Sequence, residues 1–475
     1  MRGDGDILLV SCYELGHAPH GLAMAAGFLR RAGFAPALLD LAVMPLDPAA
    51  VARARVIAVS VPMHTALRLA LAALPRLREL APGAAIGFFG HYAVLHARAL
   101  AGLGAAFALG GELEEELCAE LAAIERRAAG DAAVGDAAGD AAAGDAGGRA
   151  ALVKLRFPAP DRRGLPPPSR YAHLEEAGGG RRVAGYTEAS RGCLDTCRHC
   201  PVPAVYRGRF FVVDRETVLG DVAAQVEAGA RHITFGDPDF LNGPRHGLAV
   251  ARELHRRFPG VTFDVTAQVS HLLRERDHLA ELVELGCAFV ITAVESLADG
   301  VLAALAKRHR RADVERLLDL ADAIGMVVRP TFVPFTPWTG LDDMVELVDF
   351  LVERDLVDRV APVQLSIRLL VPPGSLLLAA HPDGLFGPLD PAALGHAWVH
   401  PDPRVDRLQR RIAVLVDRDA SAGRDPRETV AEIRGLVHAA AGDPIAAAST
   451  AATIAAGSAR MPGRKSPRMS EPWFC

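Results

Sequence analysis

Residues 190–201 read Ser-Arg-Gly-Cys-Leu-Asp-Thr-Cys-Arg-His-Cys-Pro and follow a predicted strand over 183–190. They hold three of the chain's seven cysteines at the spacing Cys-x3-Cys-x2-Cys. Three thiolates on one loop could hold three irons of a four-iron cluster and leave the fourth iron without a protein ligand. Such an open iron could bind the amino and carboxylate groups of S-adenosylmethionine (SAM), and electron transfer would then cleave a carbon–sulfur bond.

A structural zinc site is the alternative interpretation of these cysteines, because Cys-x2-Cys pairs often bind zinc. A structural zinc ion needs a fourth ligand, which usually comes from a second short cysteine or histidine motif. The remaining cysteines are scattered along the chain, and none forms a second Cys-x2-Cys pair. The alternative therefore describes a non-catalytic zinc-binding protein, which metal analysis would distinguish from a cluster protein.

Short apolar runs alternate with amphipathic helical patterns on both sides of an Ala/Gly/Asp-rich segment. This alternation predicts an N-terminal doubly wound parallel sheet, then a partial (β/α)6 barrel and a helical C-terminal segment. The barrel strands are expected at 183–190, 232–236, 262–267, 289–295, 327–333 and 363–370. The predicted divisions are a front domain over 1–127, a disordered linker over 128–150, the barrel over 151–375, a helical region over 376–446 and a flexible tail over 447–475.

The cysteine spacing, its place after the first barrel strand and the six-repeat series resemble the radical SAM superfamily. The resemblance implies a [4Fe–4S] cluster and SAM as cofactors, with Cys193, Cys197 and Cys200 as the cluster ligands. It also implies that His199 contacts the adenine of SAM. The expected chemistry is formation of a 5′-deoxyadenosyl radical that abstracts hydrogen from an unknown substrate.

Further contacts with SAM are expected where the other barrel strands end. By resemblance, Asp237 or Asp239 accepts a hydrogen bond from the SAM ammonium, and Glu295 contacts SAM after the fourth strand. Gln268 follows the third strand, and Arg329 could meet the SAM carboxylate or an anionic substrate. The structural alternatives are a turn or cap for the acidic residues and an ion pair for the arginine. Thr266, His271 and Arg368 are weaker candidates at the same mouth.

The front domain resembles the cobalamin-binding domain that precedes many radical SAM barrels. The loop after its first strand reads Cys-Tyr-Glu-Leu-Gly-His-Ala-Pro-His over 12–20. Its histidines do not stand in the Asp-x-His-x-x-Gly motif, whose histidine binds cobalt. Cobalamin is therefore possible but doubtful, and a cobalamin-dependent methyl or methylthio transferase is the alternative enzyme. The domain could instead recognise substrate through a set of polar loop residues, namely Tyr13, Glu14, His17, His64 and His91.

The C-terminal residues 471–475 read Glu-Pro-Trp-Phe-Cys. With the other motifs they resemble the radical SAM proteins that carry a Cys-Sec-Ala-Glu-Pro or Cys-Cys-Ala-Glu-Pro tail. We hypothesise that a selenocysteine codon after Cys475 was read as a stop, which would make this a selenoprotein with a redox-active tail. A natural terminus is the alternative, and the genomic codon after Cys475 distinguishes the two.

Composition limits the other functions. The chain has 475 residues, a net charge of −5 and no apolar stretch of the length that a membrane span needs. There is no whole-molecule basic field for nucleic acid, and residues 1–6 do not lead into a signal peptide. We expect a cytoplasmic enzyme that receives its electron from a low-potential donor such as a ferredoxin or flavodoxin.

Overall fold

The computed structural model describes residues 2–129, 148–442 and 466–471. Two sheets organise these residues, a six-stranded front sheet and a curled seven-stranded sheet that follows it. The predicted fold class is confirmed: a doubly wound parallel sheet precedes a partial barrel and a helical C-terminal region. Across the described ranges, every helix is too short or too polar to span a lipid bilayer.

The front sheet has the strand order β2-β1-β3-β4-β5-β6, and all its neighbours are parallel. Its strands are β1 (Ile7–Ser11), β2 (Pro36–Asp40), β3 (Val56–Ser60), β4 (Ala85–Phe89), β5 (Ala108–Gly111) and β6 (Arg149–Ala151). Its helices are α1 (His20–Arg31), α2 (Pro48–Arg53), α3 (His64–Leu80), α4 (His91–Leu95), α5 (Ala97–Gly102) and α6 (Glu114–Ala129).

Strand β1 reads Ile-Leu-Leu-Val-Ser and is buried along its whole length, as expected for a parallel strand with helices on both faces. The strand order changes direction at β1: β2 lies on one side of it, and β3 to β6 follow on the other. Parallel sheets usually bind ligands at such a switch point, which the loops after β1 and β3 border. The loop after β1 carries the residues predicted to recognise substrate. This loop therefore lies at the carboxyl edge of the front sheet, beside the expected ligand crevice.

The segment predicted as a linker over 128–150 is partly structured. Arg149 and Ala150 belong to β6, which pairs in parallel with β5 and completes the front sheet. Residues 130–147 lie outside the described residues. The Ala/Gly/Asp-rich segment is therefore flanked on both sides by elements of the same sheet. A strand of three residues is too short to show a hydrophobic period, so no local pattern predicts it.

The second sheet has the order β14-β13-β12-β11-β8-β7-β17, with five parallel strands from β14 to β8 and antiparallel pairing beyond β8. Its strands are β7 (His173–Glu175), β8 (Arg181–Thr187), β11 (His232–Phe235), β12 (Thr262–Thr266), β13 (Cys287–Glu295), β14 (Val328–Phe332) and β17 (Arg468–Met469). A short hairpin joins β9 (Ser190–Gly192) to β10 (Phe210–Val212).

The helices of this region lie between its strands in sequence, and the main apolar core lies where most of them pack against the second sheet. They are α7 (Pro201–Tyr206), α8 (Arg215–Glu227), α9 (Pro244–Arg257), α10 (Val269–Arg274), α11 (Leu279–Glu284), α12 (Asp299–Ala304), α13 (Arg311–Ile324) and α14 (Leu341–Glu353). Single 3-10 turns lie at Pro168–Arg170, Arg276–His278 and Pro362–Ser366.

The sixth predicted barrel strand, over 363–370, is absent as a strand. A 3-10 turn occupies its first half, and a single parallel bridge between Phe335 and Arg368 marks its place in the sheet. Pro334 and Pro337 flank the bridge, and proline has no N–H to donate to a ladder. The barrel therefore closes its sixth position with one bridge rather than with a paired strand.

The C-terminal region contains α15 (Leu376–Ala380), a hairpin of β15 (Leu389–Asp390) and β16 (Gly395–His396), α16 (Pro403–Ser421) and α17 (Pro426–Ala441). Each long helix begins with an Asp-Pro pair. The carboxylates of Asp402 and Asp425 accept hydrogen bonds from backbone N–H groups two residues later, both at 2.8 Å. Proline follows at the first helical position, where a missing N–H costs nothing.

The predicted flexible tail is ordered where the structure describes it. Residues 468–469 form β17, which pairs antiparallel with β7. The Met469 side chain is 6% exposed and packs inside the second sheet. Residues 443–465 and 472–475, including Cys475, lie outside the described residues. Because β17 is only two residues long, its pairing depends on distant contacts that local sequence does not report.

Candidate active site

The cysteine loop connects β9 to α7 at the carboxyl edge of the second sheet. Gly192 precedes the loop with a left-handed φ of 74°, and a Cβ there would collide with the Arg209 carbonyl oxygen. Cys193 and Cys197 are buried and Cys200 is half-buried, and none of the three is in a disulfide. The loop thus gathers three thiols beside the strand ends, as the spacing predicts.

Two polar side chains meet Cys193 from neighbouring loops. The Gln268 amide Nε2 donates to Cys193 Sγ at 3.8 Å, and the Cys193 thiol lies 3.9 Å from Asn242 Oδ1. Asn242 Oδ1 also accepts from the backbone N of Leu194 at 3.2 Å. Gln268 Oε1 and Asn242 Nδ2 are buried and lack a hydrogen-bond partner among the described residues. These two unpartnered atoms lie at the residues that hold Cys193.

His199 and Glu295, two residues predicted to contact SAM, lie together. His199 Nε2 is 3.1 Å from Glu295 Oε1, and the Lys307 ammonium donates to the same oxygen at 3.5 Å. Burial alone raises the pKa of Glu295, but Lys307 and His199 outweigh it and lower that pKa to about 2. Lys307 is a buried cation, with a 2% exposed side chain. Lys307 is one of the chain's few lysines, but no sequence pattern singles it out as a site residue.

Glu295 also has an unusual backbone. Its φ is 68°, and the pairing of β13 with β14 shifts register between Ala293 and Glu295. A left-handed conformation at a residue other than glycine costs about 1–3 kcal/mol and persists only where the surroundings enforce it. Such strain concentrates at functional sites, where it aims one side chain. Here it directs the carboxylate toward His199 and Lys307.

Asp237 and Asp239 lie below the cysteine loop with their oxygens already bonded. Asp237 accepts from the backbone N of Ala189 at 2.8 Å and from the Ser190 hydroxyl. Burial raises the pKa of Asp237 to about 7 despite these bonds. Asp239 accepts from the backbone N–H groups of Leu241 at 2.8 Å and Gln268 at 3.1 Å. These contacts fit the turn and loop-holding alternative as well as they fit contact with SAM.

His271 links the cysteine loop to the neighbouring strand ends. Its Nδ1 lies 2.8 Å from Asp239 Oδ2, and its Nε2 lies 3.5 Å from Asp195 Oδ2. Asp195 is within the cysteine loop and also pairs with Arg308 at 2.9 Å. All three members of the Asp195–His271–Asp239 group are buried. His271 therefore lies between Asp195 of the cysteine loop and Asp239, and its contact with substrate or SAM stays a prediction.

The two candidate arginines, Arg329 and Arg368, contact other parts of the chain. Arg329 Nη1 donates to Ser466 Oγ at 3.0 Å and to the Pro467 carbonyl at 3.3 Å, so its contact with SAM stays a prediction. Arg368 pairs with Asp406 at 2.6 Å and stacks on Trp398. A His-x3-His pair that the sequence analysis overlooked, His396 and His400, directs its Nδ1 atoms to main-chain carbonyls.

The two domains meet in a buried charge network beside the cysteine loop. Arg191 lies 2.6 Å from Glu114, 3.1 Å from Glu188 and 3.9 Å from Glu112. The Tyr206 hydroxyl donates to Glu112 at 2.9 Å. Burial raises the pKa of Glu112 to about 7, although Arg191 opposes that rise. Arg191 therefore joins the end of β5 to the strand that leads into Cys193.

The loop after β1 points into the second sheet. The His17 ring lies 4.8 Å from the Tyr186 ring of β8, and burial lowers the pKa of His17 to about 4. Glu14 accepts from the backbone N of His20 at 3.0 Å and from the Ser60 hydroxyl at 3.4 Å. Two of the residues predicted to recognise substrate thus lie at the junction of the domains.

Glu14→Gln is expected to remove a pH dependence of stability. Burial, with the charges of Asp40 and Glu188, raises the pKa of Glu14 from 4.5 to about 8. The folded chain therefore keeps this proton when the unfolded chain has lost it, and stability falls as pH rises through that interval. Glutamine keeps an acceptor without a charge. The variant should gain melting temperature over the wild type progressively from about pH 5 to about pH 8.

Exposed Glu115 provides the control, because its replacement by glutamine removes a charge without a burial cost. The Glu115→Gln chain should follow the wild type at every pH. A Glu14→Gln chain with the wild-type pH profile would contradict the assignment of a raised pKa to Glu14.

The chain is similar to known proteins in sequence and in fold. The model of the radical SAM superfamily matches residues 187–351. A tRNA-2-methylthio-N(6)-dimethylallyladenosine synthase from Desulfosudis oleivorans is 28% identical over 198 residues, which cover 40% of this chain. The match spans 42% of that synthase's length.

Two solved structures share the fold. The radical SAM methyltransferase TsrM from Kitasatospora setae, with cobalamin and a [4Fe–4S] cluster bound, aligns with a TM-score of 0.56 and 19% identity, covering 74% of this chain and 71% of TsrM. The cobalamin-dependent SAM radical enzyme OxsB aligns with a TM-score of 0.65 and 15% identity, covering 87% of this chain and 67% of OxsB.

The matched residues 187–351 begin at the end of β8 and include the whole cysteine loop. A radical SAM domain implies a [4Fe–4S] cluster and SAM as cofactors, and this favours the cluster over the zinc alternative. The sequence match assigns a radical SAM domain to residues 187–351, and the protein that carries this domain is an enzyme.

Proposed function

We propose that Cys193, Cys197 and Cys200 hold the [4Fe–4S] cluster and that the enzyme uses the SAM-derived radical to abstract hydrogen from a substrate. The observation that carries this proposal is the position of the three cysteines on one loop of the radical SAM domain, beside the buried polar side chains of Gln268 and Asn242. A low-potential electron donor such as a ferredoxin or flavodoxin supplies the electron.

The chemistry around the thiols fits an anionic iron–sulfur cluster. Burial raises the pKa of Cys193 to about 11, so this thiol stays protonated until a metal displaces the proton. The Gln268 amide donates toward Cys193 Sγ, and the Lys307 cation interacts electrostatically with Cys197 and Cys200. Donors and a buried cation beside the sulfurs offset the negative charge that thiolates and sulfides bring.

The polar groups beside the cysteine loop fit SAM. When bound, the reduced cluster supplies the electron that cleaves SAM to methionine and the 5′-deoxyadenosyl radical. Gln268 Oε1 and Asn242 Nδ2, the buried unpartnered acceptor and donor, are available for the polar groups of SAM. Lys307 and His199 keep Glu295 ionised, so that its carboxylate can accept a hydrogen bond from SAM.

The substrate is proposed to bind where the front domain faces the radical SAM domain. The loop after β1 brings His17 onto Tyr186, and helix α4 brings His91 to within 5.6 Å of the Tyr206 ring. Burial keeps both histidines neutral at neutral pH because it lowers their pKa values. These residues can therefore offer hydrogen bonds without a net charge, and they also limit the access of water to a radical.

Anaerobic reconstitution tests the proposal. Protein reconstituted with iron and sulfide and reduced with dithionite should convert SAM to 5′-deoxyadenosine, measured by liquid chromatography. Cys287→Ser is the matched control, because Cys287 is also a buried free thiol but lies at the start of β13. It should retain the cluster and the product. No product from a chain with a full cluster would reject radical formation, and zinc without iron or sulfide would support the zinc alternative.

Cobalamin is a poorer fit to this arrangement. Ring contacts of 4.8 Å between His17 and Tyr186, and of 5.6 Å between His91 and Tyr206, leave no layer for a corrin between these pairs. No step of the proposed chemistry therefore passes through cobalamin. The methyl or methylthio transferase alternative requires this junction to open, and it predicts that reconstituted protein retains cobalamin through gel filtration.

A further inference from the structure

The described C-terminal segment, residues 466–471, reads Ser-Pro-Arg-Met-Ser-Glu and adds a strand to the second sheet. Its backbone pairs antiparallel with β7, the strand beside β8. The backbone N of Ser470 donates to the His173 carbonyl at 2.8 Å, and the backbone N of His173 donates to Ser470 Oγ at 3.0 Å. This is the hydrogen-bond pattern by which a sheet edge captures an extended peptide.

A specific apolar pocket receives the middle of the segment. The Met469 side chain packs with buried residues from β7, β8 and β13, and its sulfur lies 3.8 Å from Thr234 Oγ1. The pocket residues are Ala172, Leu174, Ala184, Phe289 and Ile291. Met469 is the residue of the segment that packs with these side chains. Without it, they would line a cavity inside the second sheet. A well-packed interior does not tolerate such a void cheaply.

Both ends of the segment are held by polar contacts. Arg329 of β14, on the far edge of the sheet, donates to Ser466 and Pro467 as described above. Arg468 pairs with Glu175 at 2.9 Å. The Tyr13 hydroxyl, in the loop after β1 of the front sheet, donates to Glu471 at 2.6 Å. The segment thus bridges the two edges of the curled sheet and reaches the loop that carries Glu14 and His17.

We propose that the groove bounded by β7, Arg329 and Tyr13 is a strand-addition peptide site and that the chain's own residues 466–471 occupy it in cis. The half-buried Arg329 guanidinium supports this, since two of its hydrogen-bond acceptors come from the segment. Residues 443–465 join the segment to α17 covalently, so the effective concentration of the segment at the groove is on the order of millimolar. The bound segment closes the barrel and holds the loop after β1.

Limited trypsin digestion of the full chain tests this site. Trypsin can cut after Arg460, Arg464, Lys465 and Arg468. If β17 pairs with β7, the Arg468–Met469 bond is protected, and Met469→Asp should speed its cleavage by roughly tenfold or more because protection follows the free energy of local opening. Met461→Asp, which changes a methionine preceding the segment, should leave that rate unchanged. Equal cleavage at Arg468 in wild type and Met469→Asp would overturn the proposal.

A second measurement needs no variant to fold. Wild-type chain nicked after Lys465 and freed of its C-terminal peptide should bind a synthetic peptide of residues 466–471 with a Kd below about 1 mM, whereas intact chain should not bind it. No saturable binding to the nicked chain up to about that concentration would overturn the proposal. A dimer held by exchanged segments would overturn occupancy in cis. Both readouts are independent of SAM cleavage, so they do not depend on the proposed radical chemistry.

Discussion

Cys197→Ser is expected to abolish the conversion of SAM to 5′-deoxyadenosine. Cys197 is 5% exposed in the centre of the cysteine loop, and a serine hydroxyl does not provide the thiolate that iron–sulfur clusters require. The variant should lose most of its iron, its sulfide and its visible absorbance after reconstitution. Product should fall below detection in the same chromatographic assay.

The comparison with Cys287→Ser separates cluster loss from unfolding. Both substitutions remove one sulfur from a buried site, but only Cys197 belongs to the Cys-x3-Cys-x2-Cys loop. Melting temperatures measured without iron should therefore fall by similar amounts, whereas iron content should differ sharply. A Cys197→Ser chain with full iron content and normal product would show that the cluster is held elsewhere.

Arg191→Met is expected to lower the free energy of unfolding by about 3–5 kcal/mol, the usual cost of removing one partner from a buried ion pair. Its guanidinium is the cation that Glu112, Glu114 and Glu188 share at the junction of the domains. Methionine would leave these carboxylates facing one another in an apolar setting. Urea denaturation followed by circular dichroism measures the effect.

The pair of Arg182 and Glu176, 2.7 Å apart, provides the matched control, because about a third of each side chain is exposed (32% and 37%). Arg182→Met should cost only about 0–1 kcal/mol, because solvent screens such a partly exposed pair. The loss in Arg191→Met should also shrink at acidic pH. Burial already raises the pKa of Glu112 to about 7, so Glu112 takes up its proton as the pH falls and no longer repels the neighbouring carboxylates. Equal losses in the two variants at neutral pH would contradict this role of Arg191.

The sequence predicts well those features that repeat locally. Strands β1 and β4 lie where the apolar runs over 7–11 and 85–89 place them, since a buried parallel strand is a short continuous apolar run. The spacing of the cysteines likewise depends on neighbours in sequence. Short strands such as β6 and β17 have no period to detect, and the prolines beside Phe335 replaced an expected strand with one bridge.

Site residues that act through distant partners were harder to predict. The resemblance placed His199 and Glu295 near SAM, but it did not indicate Lys307, whose lysine side chain usually lies on the surface. The contacts of Arg329 with Ser466 and Pro467, far along the chain, had no signal in the sequence, and its contact with SAM or an anionic substrate stays a prediction. Such pairings follow from the closing of the sheet, which no local pattern encodes.

Strand β6 makes residues 130–147 an insertion within one folding unit. A fragment that ends at residue 127 would leave the hydrogen-bonding edge of β5 bare, and bare edges recruit strands from other molecules. A fragment that ends after Ala151 keeps that edge covered. The cost of closing a loop grows by only about 0.6 kcal/mol for each doubling of its length. Homologues can therefore lengthen or shorten this insertion while the sheet on either side of it stays the same.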